Sequence, residues 1–333
     1  MTYGAKAAVA ALLLAATPAL ADYPEREIQG IIQWGAGGST DTVMRAVTPH
    51  AEEVLDGTIV MQNVTGGTGA IALNQVATGE ADGYTLLMGA ENPLLYKVLG
   101  LGERDYSDFV PINLLARGTP MLVAGPGAPF ATYQEMIDHV KANPDTVRFG
   151  STGPGGLASV VTAMIESVEG ELPVIRVPYD GDGPALTALQ GGAIDVMPAV
   201  LGAAVEGIRA GTMKPLVVFD VEASAALPDL PPVTEANAAY ERYLPWGPFF
   251  GVFAPQGTPQ EAIDALTAAY AEAAEQPDFL QLLESRGYTP MNISGQEAQD
   301  FLDGWQGTTA WLIHDAGLTK SSPEAFGIER PGE

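Results

Sequence analysis

Ile28-Gln29-Gly30-Ile31-Ile32-Gln33-Trp34-Gly35-Ala36-Gly37-Gly38-Ser39-Thr40-Asp41 is the stretch on which the fold reading turns. An apolar, isoleucine-rich run meets a glycine-rich turn and then a segment whose apolar positions begin at Val43, which makes one strand-to-helix unit. Working outward, short apolar or β-branched runs recur at 58–62, 84–88, 110–115, 121–124, 147–150, 174–177, 194–197, 216–219 and 249–254, nearly all bounded by Gly or Pro. Helix-like stretches lie between them, so the pattern is α/β, with parallel strands and crossover helices. Two late helices are predicted at 259–276 and 296–314, where Ile263, Leu266, Tyr270 and Ala273, then Phe301, Trp305 and Leu312, recur at helical spacing. These stripes read as core.

A chain of 333 residues with 47% hydrophobic content exceeds what one core usually organises. The segments 121–130 and 246–255 each pair a strand-like run with a Pro-Gly-rich stretch, Gly125 to Pro129 and Ala254 to Gly257. Two crossings of this kind suit a hinge. The expected division is residues 22–120 with 247–333 as domain 1 and 121–246 as domain 2.

Residues 1–21 read as a cleaved signal peptide: Lys6, an apolar run from Ala7 to Ala16, and Ala19-Leu20-Ala21 before Asp22. The run is too short for a membrane span of about 20 residues. The periplasm is the expected compartment. With no twin-arginine pair, export in the unfolded state and no prebound cofactor are expected. The chain has no cysteine, which excludes a lipidation cysteine, a disulfide framework and thiolate chemistry. Its formal charge is −26, and −27 once residues 1–21 leave with Lys6 and no acid. That surface argues against nucleic acid or an anionic membrane as a partner.

The loop Trp34 to Asp41 offers glycines that let a ligand approach the backbone, followed by the unpaired N–H groups and positive dipole end of a helix. A plain turn in which Ser39 or Thr40 caps the helix reads equally well. A second such loop, Phe149-Gly150-Ser151-Thr152-Gly153-Pro154-Gly155-Gly156, precedes another apolar stretch. If the two loops face each other, neutral donors grip a carboxylate from both sides; otherwise they are unrelated turns. The stretch Gly66 to Ala72 carries G-x-G-x-x-A with Glu91 downstream, a weak dinucleotide signal that an exported chain argues against. Asp180 and Asp182 form a bare D-x-D, more often a turn than a cation site. His50, His139 and His314 sit in no metal-ligand or nucleophile-elbow pattern, and Arg45 reads as a local ion-pair partner of Asp41. No catalytic constellation and no metal site are expected.

In order along the chain, Tyr23-Pro24, Gly37-Gly38 with Asp41 and Arg45, Gly66-Gly67 with Gly69, Asp82-Gly83-Tyr84-Thr85-Leu86-Leu87, Asn92-Pro93 with Leu95-Tyr96, Asp108-Phe109-Val110-Pro111, Gly150-Ser151, Val177-Pro178-Tyr179, Gly191-Gly192 with Asp195, and Leu227-Pro228-Asp229 resemble the substrate-binding proteins of tripartite tricarboxylate transporters, the Bug family. The resemblance implies a bilobal periplasmic-binding-protein-like fold, two α/β domains joined by a two-stranded hinge. It implies that a small organic carboxylate lies between the glycine loops and is released to two integral membrane transporter subunits; a monomer is expected because a capture protein must present its cleft to a transporter. It casts Gly66 to Gly69 as a structural turn. Carried onto this chain, the site is Trp34, Gly37, Gly38, Ser39, Asp41, Asn92, Ser151, Thr152, Gly153, Gly155, Tyr179, Asp180 and Asp195. The chain departs from the family pattern at Gln33-Trp34, at Asp180, and at Gly155-Gly156-Leu157-Ala158, so ligand identity does not carry over. An exported oxidoreductase and a sensory binding protein are the alternatives.

Overall fold

A computed structural model describes residues 23–331. The predicted signal peptide, 1–21, lies outside the described residues. The chain first runs β1 (Ile28–Ile32), α1 (Ser39–Leu55), β2 (Ile59–Asn63), α2 (Ala70–Ala77), β3 (Thr85–Ala90), α3 (Tyr96–Leu99) and β4 (Phe109–Arg117). It continues with β5 (Pro120–Ala124), α4 (Tyr133–Ala142), β6 (Arg148–Ser151), α5 (Leu157–Glu169), β7 (Ile175–Pro178), α6 (Asp182–Gln190), β8 (Val196–Val200), α7 (Leu201–Arg209), β9 (Lys214–Val218) and α8 (Val233–Ala236). It ends with β10 (Phe249–Pro255), α9 (Gln260–Ala274), α10 (Pro277–Arg286), β11 (Thr289–Ile293) and α11 (Gly295–Asp315).

Two sheets result, ordered β11-β4-β10-β3-β1-β2 and β7-β6-β8-β5-β9, one in each lobe. Neither is wholly parallel, which corrects the parallel-sheet expectation. Strands β1, β2 and β3 pair in parallel, as do β6, β7 and β8, while β10 runs antiparallel to β3 and β4, and β5 antiparallel to β8 and β9. Of the reversed strands, β5 and β10 border the crossings, while β11, antiparallel to β4, does not. At Gly30 in the centre of β1 the end of the Met88 side chain packs close, 2.5 Å from where a Cβ would lie. Buried β-branched and aliphatic residues on both faces, among them Ile28, Ile32, Leu86 and Leu87, suit strands covered by helices on either side.

The crossings lie where β4 gives way to β5, at Gly118 and Thr119, and where the chain re-enters at Trp246, Gly247 and Pro248. They touch: Gly118 N donates to Pro248 O at 2.8 Å. The Pro-Gly stretches after Ala124 and Ala254 sit at the opposite ends of β5 and β10, so they terminate strands and do not form the hinge. The predicted helices at 259–276 and 296–314 correspond to α9 and α11. Strand β11 had no counterpart in the sequence reading.

The lobes press together along one side. Gly35 N donates to Asp180 O at 3.0 Å, Arg286 Nη1 to Gly202 O at 3.1 Å and Arg209 Nη2 to Ser285 O at 2.9 Å. The approach at the glycine loop is close enough to demand glycine. A Cβ on Gly183 would lie 2.2 Å from Ala36 O, and one on Gly35 2.9 Å from Asp180 O.

Candidate functional site

Helix α1 begins at Ser39 with Gly38 as its N-cap in extended conformation, and helix α5 begins at Leu157 with Gly156 as its N-cap; no side chain caps either. The reading of Ser39 or Thr40 as a cap therefore does not hold: both residues are already helical. The first-turn amides of α1 are left to meet whatever comes from the cleft, whereas the Leu157 N–H of α5 meets the Glu91 carboxyl. Asp41 and its partners shape the first loop. Its carboxylate accepts from Gly37 N at 3.0 Å, Arg45 Nε at 2.7 Å and Asn63 Nδ2 at 2.9 Å. Burial alone would raise its pKa, and the Gly37, Asn63 and Arg45 donors outweigh that and lower it.

Between the two helix starts lies a cavity of about 30 Å³. Its wall from lobe 1 is Trp34, Gly38, Ser39, Thr40, Ala90 and Glu91, with Pro248 and Phe250 from the returning strand; lobe 2 supplies Thr152, Leu157, Gly181, Asp182 and Val200. Nearly all follow the C-terminal ends of β1, β3, β6, β7 and β8 or lead out of them, which is where open α/β sheets place ligands. The Ser39 hydroxyl is buried there, and its hydrogen-bonding neighbour is the buried Tyr288 hydroxyl. The cavity continues into a wider mouth of about 500 Å³, lined by Trp34, Gly67, Thr68, Thr152, Gly153, Pro178, Tyr179, Asp180 and Pro184.

The residues expected from sequence divide into groups. Trp34, Gly38, Ser39 and Thr152 line the inner cavity. Trp34 also packs on lobe 2, since a Cβ on Gly181 would meet its ring at 3.3 Å. Tyr179, Asp180 and Gly153 line the mouth. Ser151 and Gly155 instead face a groove on the far side of the second loop, with Leu99, Ile313 and Leu318. Gly37 has φ +77° and serves the loop, bonded to Asp41. Asn92 is buried, accepting from Gln33 Nε2 at 2.5 Å and donating to Thr68 O and Tyr96 Oη. Asp195 accepts from Arg148 Nε at 3.0 Å and Nη2 at 2.5 Å, within lobe 2 and outside the cavity lining.

Two acidic wall residues were named from sequence only in other roles, Glu91 as a ribose contact and Asp182 in a D-x-D turn. Glu91 directly follows β3, and Asp182 opens α6. Asp182 accepts from Val200 N at 3.1 Å, and although the residue is partly exposed its carboxyl faces the cavity. Burial pushes the Glu91 carboxyl up to about 8, helped by the charge of Asp182 and opposed by the N–H groups of Glu91 itself and Leu157. Burial likewise pushes Asp182 up to about 6. The strand-end rule was the available signal, because Glu91 bears the same relation to β3 as Gln33 and Trp34 do to β1. The third glycine loop was also underread. Thr68 sits in the left-handed region at φ +58°, its carbonyl held by Asn92 and Tyr96, and its side chain faces the second loop, 3.0 Å from where a Cβ on Gly153 would lie.

Comparison with known proteins supplies relatives for this architecture. Residues 43–318 match the family described as tripartite tricarboxylate transporter family receptor. The protein BugT of Bordetella pertussis is 31% identical over 296 residues, 86% of this chain and 88% of that protein. The structure of the periplasmic binding protein BugD superposes with TM-score 0.84 at 26% identity, over 90% of this chain and 100% of that one. MatC of Rhodopseudomonas palustris, solved with bound malate, superposes with TM-score 0.78 at 28% identity, over 86% of this chain and 100% of that one.

Proposed function

The chain belongs to the tripartite tricarboxylate transporter receptor family, and on that premise we propose that it captures a small organic carboxylate between its lobes in the periplasm and delivers it to membrane transporter subunits, two in number. The observation that carries this reading is the pair of uncapped helix starts, α1 and α5, on opposite walls of one cavity. Backbone N–H groups at a helix start bind an anion without a buried cation. No Lys, Arg or His lines this cavity. The bound malate of MatC is a carboxylate of the size class this reading calls for.

Domain 1 is residues 22–120 with 247–333 and domain 2 is 121–246, so that the touching crossings at Gly118 and Pro248 act as the hinge. Gly38, Ser39, Thr40 and Thr152 hold the carboxylate, while Trp34, Gly153, Tyr179 and Asp180 guard the mouth. Gly37 and Asp41 shape the first loop, Asn92 supports the third, and Ser151, Gly155 and Asp195 brace the second lobe. The chain leaves the cytoplasm by a signal peptide cleaved after Ala21 and works as a monomer. A family of receptors needs no catalytic group, and none is assigned.

Thermal-shift screening of the chain from Asp22 onward against organic acids tests the reading. A ligand at a hundred times its dissociation constant adds about 2.7 kcal/mol, a shift of several degrees. No stabilisation by any carboxylate would overturn it.

A further inference from the structure

Carboxylate capture, the reading on which this inference rests, requires the lobes to part and to meet, and Glu91 stands where they meet. It follows β3 in lobe 1, is 3% exposed, and faces the Leu157 N–H that opens α5 in lobe 2. Asp182, at the start of α6, reaches the same cavity from lobe 2. Two carboxyls are thus brought together from opposite lobes, and no basic side chain lines the space they share. The other titratable groups nearby supply no counter-charge there. Tyr96 of α3 and Tyr106 ahead of β4 are phenols that burial keeps protonated. Tyr288, the hydrogen-bonding neighbour of Ser39, and Arg286, which donates to Gly202 O, lie outside the cavity lining.

We propose that Glu91 is a proton-operated latch between the lobes: as a neutral acid it lets them close over the cavity, and as a carboxylate it drives them apart. Like charges in a space that excludes water repel with little screening, and an unpaired carboxylate loses its hydration there. Parting the lobes returns Glu91 to water, where it ionises as an ordinary acid. In the closed arrangement burial pushes Glu91 from 4.5 up to about 8, and Asp182 up to about 6. The closed form therefore holds more protons than the open one. Closure is favoured as pH falls and disfavoured as pH rises toward 8, by up to about tenfold per pH unit for one proton. A captured anion adds a further negative charge beside the two acids, so capture and proton uptake reinforce each other. Glu91 acts through the placement of α5 and is a positioning residue.

Small-angle scattering of the ligand-free chain from Asp22 onward tests the latch without any ligand. The radius of gyration should shrink as pH falls from 9 to 6. Glu91→Gln, which keeps the size and the acceptor oxygen of the neutral acid, should be as compact at pH 9 as at pH 6. A radius independent of pH in the parent, or a pH response kept in full by Glu91→Gln, would overturn the inference. Calorimetry with succinate and glutarate adds the link to capture. Either acid that binds should bind the parent at least about tenfold tighter at pH 6 than at pH 8, and the variant nearly equally at both. Equal affinity of the parent at the two values would overturn the latch and leave carboxylate capture standing. If neither acid binds, scattering alone decides the latch, and capture is judged separately by the wider screen of organic acids.

Discussion

The loops that open α1 and α5 look alike as sequence, each a strand followed by glycines and hydroxyl residues, yet the folded molecule gives them different surroundings. The first is braced from behind by Asp41, Asn63 and Arg45, and Ser39, beside the Tyr288 hydroxyl, lines the cavity. The second is met from the opposite lobe by Glu91, whose carboxyl faces the Leu157 N–H at the start of α5. Two helix ends of the same polarity thus end as one start left open toward the cavity and one already faced by a carboxyl of the protein. A symmetric grip on a ligand carboxylate, which the sequence suggests, gives way to an asymmetric cleft.

The strongest way to break the comparison is to stop the loops from meeting. Gly183 has an ordinary helical place in α6, but a Cβ there strikes Ala36 O across the cleft. Gly183→Ala should leave the circular dichroism of each lobe unchanged and weaken ligand binding by about a hundredfold or more, since a backbone clash has no rotamer to relieve it. Small-angle scattering should show lobes that no longer close. Near-normal affinity would mean that this contact is not needed for capture.

Next in size is the second loop's own partner. The folded Glu91 carboxyl titrates at about 8 against an ordinary 4.5. A raised acid pKa means that this group's contribution is fully favourable below about pH 4.5 and is lost as pH rises toward 8, where the buried group must ionise. Without ligand, Glu91→Gln should therefore be more stable than the parent at pH 8, by roughly 2–4 kcal/mol, and close to it at pH 4.5. Urea denaturation at both values measures it, and an advantage of the variant that grows toward acid pH would have the wrong sign.

A smaller effect separates the two sides of the second loop. Thr152 lines the cavity, whereas Ser151 faces the outer groove and accepts from Gly153 N at 3.3 Å. Thr152→Val and Ser39→Ala should each weaken ligand binding by about 1–3 kcal/mol, as for a lost hydrogen bond to a charged group, and Ser151→Ala by much less. Calorimetry that ranks Ser151→Ala above Thr152→Val would reverse the assignment of sides. Least of all, Arg45→Ala removes an ion pair whose cation is 44% exposed, so it should cost under about 1 kcal/mol of stability and little affinity.

Much of the fold was legible because it is local. The runs of β-branched residues and the glycine turns place β1 to β10 within a few residues of where they form. Strand β11 was not legible, since Pro290 and Asn292 spoil its pattern and pairing with β4 alone makes it a strand. The Pro-Gly stretches read as crossings lie at the far ends of β5 and β10, while Gly118 and Pro248, at the near ends of these strands, touch. In the site, the glycine loops, Trp34, Ser39 and Thr152 could be named in advance. Glu91 and Asp182 were named only in other roles, because an acid after a strand and an acid in a D-x-D turn are ordinary surface features until something covers them.

By itself the sequence determined that this is an exported-looking, cysteine-free, strongly acidic α/β chain with two glycine-opened helices, since propensity, turn chemistry and composition depend on a few neighbouring residues. Only the tertiary structure decided that the two helices face one cavity, that α5 meets a carboxyl from the other lobe, and that Glu91 and Asp182 titrate far from their usual range. Burial and electrostatic environment are sums over all surrounding atoms, and most of the atoms around Glu91 belong to parts of the chain that no local pattern brings near it.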